Sequence, residues 1–163
     1  MNSQAYQAVN IINISTYKLF KIKSMDSSDI LAKKSVEKMM QLDRFSQWMG
    51  VEIIEIADHY SKIKMLLRHE MMNAFGIAHG GVTFALADSA FAFACNSGGK
   101  ITVALDVSIS FPKAGKEGDT LTAEAKEINS TNKTGLYLIE VKNQKDELVA
   151  LFKGTCYKTE KEL

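Results

Sequence analysis

The run from Val82 to Cys95 reads Val-Thr-Phe-Ala-Leu-Ala-Asp-Ser-Ala-Phe-Ala-Phe-Ala-Cys, and Asp88 is the one charge in it. Apolar residues cover every side of the helix this run forms, which marks it for burial in a core rather than on a surface. An aspartate is almost never fully buried without a partner, because losing water penalises the ionised carboxylate. The run therefore needs a fold with enough surface to surround a helix. It also gives Asp88 either a partner or a chemical task.

Strands supply that surface. Ile101, Val103, Leu105, Val107, Ile109 and Phe111 alternate with Thr102, Ala104, Asp106, Ser108 and Ser110, the period of a half-buried strand with one apolar face. Pro112 stops it. Val51–Ile56 and Tyr60–Leu67 read as two strands turned at Asp58-His59. Leu121–Ile128, Gly135–Asn143 and Glu147–Tyr157 read as three more, the last two joined by the polar Gln144-Lys145-Asp146 turn. Ser27, Ser28 and Asp29 offer helix caps before Ile30, Leu31, Val36, Met39, Met40 and Leu42, whose spacing predicts an amphipathic helix over 29–45 that Gly50 closes. Arg68–Ala78 is a loop. The central helix follows from His79 or Gly80 to Asn96, and Gly98-Gly99 supplies its left-handed end.

Short connections favour antiparallel neighbours. A sheet with one apolar face needs cover, and only the central helix is long and apolar enough to give it. The expected class is α+β, an antiparallel sheet wrapped around one long central helix.

The chain has 163 residues, enough for one domain with a sizeable core. A net charge of +1 provides no field for nucleic acid, and no run approaches the ~18 apolar residues of a membrane span. Cys95 and Cys156 have neither redox-motif nor metal-ligand spacing and read as reduced thiols of a cytoplasmic protein. Residues 1–24 contain no acidic residue and read as a disordered tail or upstream extension, with 25–160 as the folded domain. Lys18, Lys21 and Lys23 are too sparse for a DNA-binding appendage.

Three features converge at the central helix. Gly80-Gly81 opens it, where unpaired N–H groups and the positive end of the dipole suit an anionic oxygen. Asn73, in the preceding loop, both donates and accepts hydrogen bonds. Asp88 follows Gly81 by seven residues, close to two turns, so both share one face about 10 Å apart along the axis. A reacting carbonyl needs oxyanion donors and a nucleophile or base together at about 3 Å. One helix does not easily provide both, but two antiparallel copies side by side do. The expectation is an active site shared across a homodimer.

The pattern Asn73-x5-His79-Gly80-Gly81-x2-Phe84-x-Leu86-Ala87-Asp88-x-Ala90-Phe91-Ala92-x-Ala94-x-Asn96-Ser97, continued by Gly118-Asp119-Thr120-Leu121, resembles the signature of the PaaI-type hotdog-fold acyl-CoA thioesterases. The resemblance covers about residues 26–158. It implies a hotdog fold and hydrolysis of phenylacetyl-CoA or related aromatic and short to medium acyl-CoA thioesters, with no metal or cofactor. It implies Asp88 as nucleophile or general base, the Gly80 amide (with Gly81) polarising the thioester carbonyl, Asn73 orienting the attacking group, and His79 supporting the loop. It also implies a homo-oligomer, a dimer of dimers. Some relatives place a Ser or Thr on the strand after the helix; Ala104 or Leu105 stands there, with Thr102 off register. Phe91 and Met72 are candidates for an acyl pocket, or for core. Lys113, Lys116 and Lys133 are candidates for the phosphates of coenzyme A, or simply solvated. Cys95 reads as core; His59 and His69 read as solvated. Two other readings stay open: a non-catalytic acyl-CoA-binding module, and a hydratase using a carboxylate with a histidine.

Overall fold

The computed structural model describes residues 26–163. The tail expected over 1–24 lies outside the described residues. The chain runs α1 (Ser27–Leu42), α2 (Arg44–Met49), β1 (Glu52–Ala57), β2 (Tyr60–Leu66), a short 3-10 turn (His69–Met71), α3 (Gly80–Asn96), β3 (Lys100–Ser110), β4 (Thr120–Ser130), β5 (Thr134–Lys142) and β6 (Leu148–Glu162). Six strands form one sheet in the order β1-β2-β4-β5-β6-β3, with every neighbouring pair antiparallel. The sheet curves around α3, which touches β2, β4, β5, β6 and β3. This is the α+β arrangement, an antiparallel sheet wrapped around one long helix, expected from the apolar run, and it is the hotdog fold that the resemblance implies. Among the described residues, no helix is long and apolar enough to cross a membrane.

The first helix differs from expectation. It stops at Leu42, and Asp43 caps a second helix by accepting from Phe45 N (3.1 Å) and Ser46 N (3.0 Å). An aspartate that satisfies two orphan N–H groups makes a restart competitive with continuing the helix. Asp26, not Ser27 or Ser28, caps α1. Only Ala32, Ser35 and Val36 of α1 are buried, and Ile30, Leu31 and Leu42 stay exposed. Gly50 does close the segment, at φ 77°.

Polar groups seat α3 at specific points. Asn96 accepts from Thr102 N (2.8 Å) and donates to the carbonyls of Thr102 (3.0 Å) and Ala92 (2.9 Å), pinning the start of β3 to the helix end. Ser61 of β2 donates to Ala90 O (2.6 Å). Ser46 of α2 shares a 2.9 Å hydrogen bond with Ser89. His59 is not merely solvated, because its N–H donates to Ser97 Oγ (2.7 Å) and its Nδ1 lies 3.1 Å from the Tyr137 hydroxyl. Cys95 and Cys156 are free, buried thiols, as expected of core residues. A hydrogen bond with Cys156, followed by burial, pushes the Cys95 thiol up, away from nucleophilic use.

The alternating segment does form β3, but its apolar face is only partly covered: Val107 and Ile109 pack against the core, while Val103 and Leu105 do not. Val103 is 48% exposed and Leu105 60% exposed. The cause is position: β3 is the outer strand of the sheet, bulged between Ala104 and Asp106. An edge this long with apolar side chains is a template for pairing with another chain.

On β6, the strand next to β3, Gly154 pairs with Val107 and lets the sheet approach α3. A Cβ there would lie 2.8 Å from the Phe91 ring. The Phe91 ring is itself held by Tyr137 and Phe152 at centroid distances of 5.5 and 5.8 Å. Gly154→Ala is therefore expected to lower stability by about 1–3 kcal/mol, as overpacked cores do. A urea midpoint indistinguishable from that of the unsubstituted chain would contradict this packing.

Candidate active site on the central helix

The start of α3 is shaped by its cap. His79 is the N-cap, and its Nδ1 accepts from Gly81 N–H at 3.0 Å. That bond places the ring proton on Nε2. It also removes the Gly81 amide from the set of available donors. Gly80 N–H, by contrast, has no hydrogen-bond partner among the described residues. Of the two glycines expected to polarise a carbonyl, Gly80 is thus the free donor, and Gly81 serves the cap.

Asn73 organises the loop before the helix. Its Oδ1 accepts from Phe75 N (2.9 Å) and Ile77 N (3.4 Å), while its backbone N–H donates to Ile77 O (2.8 Å). Two donors on Oδ1 fix the side-chain amide and leave its NH2 without an acceptor among the described residues. The loop is tied back by Ala78 N–H donating to Gly115 O (2.9 Å) and His79 N–H to Met71 O (2.9 Å).

Asn73, Gly80, Thr83, Phe111, Lys113 and Val149 line a cleft of about 230 Å³. The Phe111 ring covers Gly80, and a Cβ added there would sit 3.6 Å from it. Sequence reasoning assigned Phe111 to a strand face and did not single out Thr83. The signal for Thr83 was present: it is one of only three polar residues, with Asp88 and Ser89, in the run from Val82 to Cys95.

Asp88 does not line that cleft. It is half-buried on a strip of α3 that Gly81, Phe84, Ala85 and Ala92 share and that the rest of the chain leaves partly open. The expectation of a helix covered on all sides therefore fails along this strip. The Asp88 carboxylate has no hydrogen bond or ion pair among the described residues, and burial alone pushes its pKa above the ordinary carboxylate value. At about 100° per residue, Thr83 and Asp88 point about 140° apart around the helix. Each chain thus presents two separate features on α3, a donor cleft at the helix start and a bare carboxylate near its middle.

The other candidates are dispersed. Phe91 is 1% exposed in the helix–sheet core and does not line the cleft, in keeping with the core alternative. Met72 is half-buried and packs against the core. Lys113 stands at the cleft and pairs with Glu147 at 2.5 Å. Lys133 pairs with Glu160 and lies beside Lys158, far along β6 from the Leu151 end where β3 finishes. One chain therefore does not bring Lys113 and Lys133 together. Lys116 is exposed. His69 is exposed but pairs with Glu117 at 3.0 Å.

Comparison with known proteins gives the family. The thioesterase superfamily is matched over residues 75–150. A putative esterase of Archaeoglobus fulgidus is 47% identical over 133 residues, covering 78% of this chain and 86% of that protein. The acyl-coenzyme A thioesterase PaaI of Escherichia coli is 38% identical over 127 residues, covering 78% of this chain and 91% of that protein. The chain belongs to the PaaI-type hotdog thioesterase family. The solved structure of Escherichia coli PaaI, a protein from a phenylacetic acid degradation operon, superposes with a TM-score of 0.82 at 36% identity, covering 83% of this chain and 99% of that one. Members of this family are thioester hydrolases.

The bare carboxylate has a consequence for stability. Its folded-state pKa is raised, so the folded chain holds the proton more tightly than the unfolded chain does. Stability is then lost as pH rises from the ordinary aspartate range through the raised value. Asp88→Asn, which has no such charge, is expected to melt at a higher temperature than the unsubstituted protein at neutral pH. The gain should shrink to nothing in acid. A gain that persists unchanged at low pH would show that the charge is not its cause.

Proposed function

We propose that this chain hydrolyses acyl-CoA thioesters to a free acid and coenzyme A, with phenylacetyl and related aromatic or short to medium acyl groups as substrates. The observation that carries the reading is Asp88, a half-buried carboxylate with no partner on the open strip of a helix whose start holds an unused N–H at Gly80. The printed activity of the Escherichia coli relative supplies the acyl-CoA class, and its operon points to the phenylacetyl group.

In this reading two chains pair through their β3 edges, which covers Val103 and Leu105 and sets the two α3 helices antiparallel. The cleft of one chain then faces Asp88 of the other. The Gly80 N–H donates to the thioester oxygen and stabilises it as the carbonyl carbon becomes tetrahedral. Asp88 of the partner subunit, ionised, attacks that carbon or takes a proton from the attacking water. The Asn73 NH2 orients the attacking oxygen or the thioester, and His79 keeps the helix start in shape. Collapse of the intermediate expels the coenzyme A thiolate and leaves the free acid where water attacked, or an anhydride with Asp88 that a water then hydrolyses to the free acid and the regenerated carboxylate. Lys113 at the cleft, released from Glu147, meets a phosphate of coenzyme A, and Lys133 contributes from the surface of the assembly. A further pairing of dimers, and a cytoplasmic setting, belong to the same proposal.

Thiol release measured across a panel of acyl-CoA substrates tests this directly. Turnover is expected with at least one aromatic or short-chain substrate, and Asp88→Asn is expected to lower kcat by about 10²–10⁴, the usual worth of a positioned base. Tight acyl-CoA binding with no thiol release would favour a binding module instead. Equal turnover by the Asn variant would remove the carboxylate from the mechanism.

A further inference from the structure

Thr83 is 2% exposed, yet its hydroxyl has no hydrogen-bond partner among the described residues. A threonine inside a helix usually answers that need by bonding the carbonyl four residues back. Here that carbonyl, His79 O, accepts from Val82 N (2.9 Å) and Thr83 N (3.4 Å), and the hydroxyl stays out of it. No buried side-chain oxygen or nitrogen is both sealed from open space and unpaired among the described residues. The small exposed area of Thr83 therefore includes its hydroxyl, and the open space that Thr83 lines is the cleft.

The position is specific. Side chains on a helix lean toward its N-terminus, so a residue covers the turn before its own Cα. Thr83 follows Gly80 by three residues and thus leans over the free Gly80 N–H. A hydroxyl open to the cleft can donate to whatever enters it, which a valine of the same shape cannot do.

We propose that the Thr83 hydroxyl is a second donor to the thioester oxygen, acting beside the Gly80 N–H. The inference rests on the thioesterase reading above. The hydroxyl keeps its own proton throughout. It donates a hydrogen bond that strengthens as negative charge grows on the oxygen, and it takes no part in bond making or breaking. Interactions of this kind raise kcat rather than tighten ground-state binding.

The test is steady-state thiol release by Thr83→Val and Thr83→Ser, with a non-hydrolysable acyl-CoA thioether, which lacks the carbonyl, as a binding probe. Valine keeps the shape and removes the donor. It is expected to lower kcat by at least about 10-fold, toward the 10²–10³ typical of a lost oxyanion donor. KM and the Kd for the thioether should change little. Serine, which restores the hydroxyl, should recover most of the loss. A structural role would move thioether binding and melting temperature as well. If valine unsettles the helix start, Thr83→Cys, similar in size with a weaker donor, should give an intermediate kcat. Equal kcat in the active unsubstituted enzyme and a folded valine variant would overturn the role of Thr83 alone. An unsubstituted enzyme that releases no thiol from any substrate would overturn the thioesterase reading and this role with it.

Discussion

The packing of α3 into the curved sheet is the constraint on which the rest depends. Leu86, Phe91 and Phe93 are almost fully buried there, and each contributes about 1.5–3 kcal/mol. That packing fixes the rotation of the helix. Once it is fixed, Thr83 and Gly80 face the cleft and Asp88 faces the open strip. The helix cannot turn to give Asp88 more water without withdrawing aromatic rings from the core. The stability spent on a half-buried, unpaired carboxylate is thus sustained by the opposite side of the same element.

The helix start follows the same logic at smaller scale. His79 could have left both glycine amides free, but its Nδ1 takes the Gly81 N–H. The result is one unused backbone donor at a defined point, with Asn73 held nearby by its own loop. A donor whose bonding is completed only by the reacting oxygen costs nothing to reorganise during reaction.

Much of this was legible in the residues. The 14-residue apolar run announced a buried helix, and the period of Ile101–Phe111 announced β3. The His79-Gly80-Gly81 and Asp88 pattern also pointed to the thioesterase family that the comparisons show. What escaped was set by context that spacing does not carry. Asp43 divides the first helix because a side-chain cap competes with one more helical turn. Val103 and Leu105 of β3 are bare because strand order, not pattern, decides which strand is outermost. Phe91 sits in the core because Gly154 makes room for its ring on β6. Thr83 looked like one more small residue in an apolar run, and only the absence of a bonding partner sets it apart.

The central claim is that a working site needs the cleft of one chain and Asp88 of another. Mixed dimers test it most directly. Asp88→Asn lacks the carboxylate, and Gly80→Val blocks the cleft; each alone should be nearly inactive. Chains of the two kinds, co-expressed in equal amounts, form mixed dimers in which one site combines an intact cleft with an intact Asp88. The account predicts that activity returns to about a quarter of the unsubstituted level, since half of the dimers are mixed and each restores one site of two. Activity that stays at the level of the single variants, with mixed dimers present, would place the cleft and its carboxylate on the same chain and contradict the account.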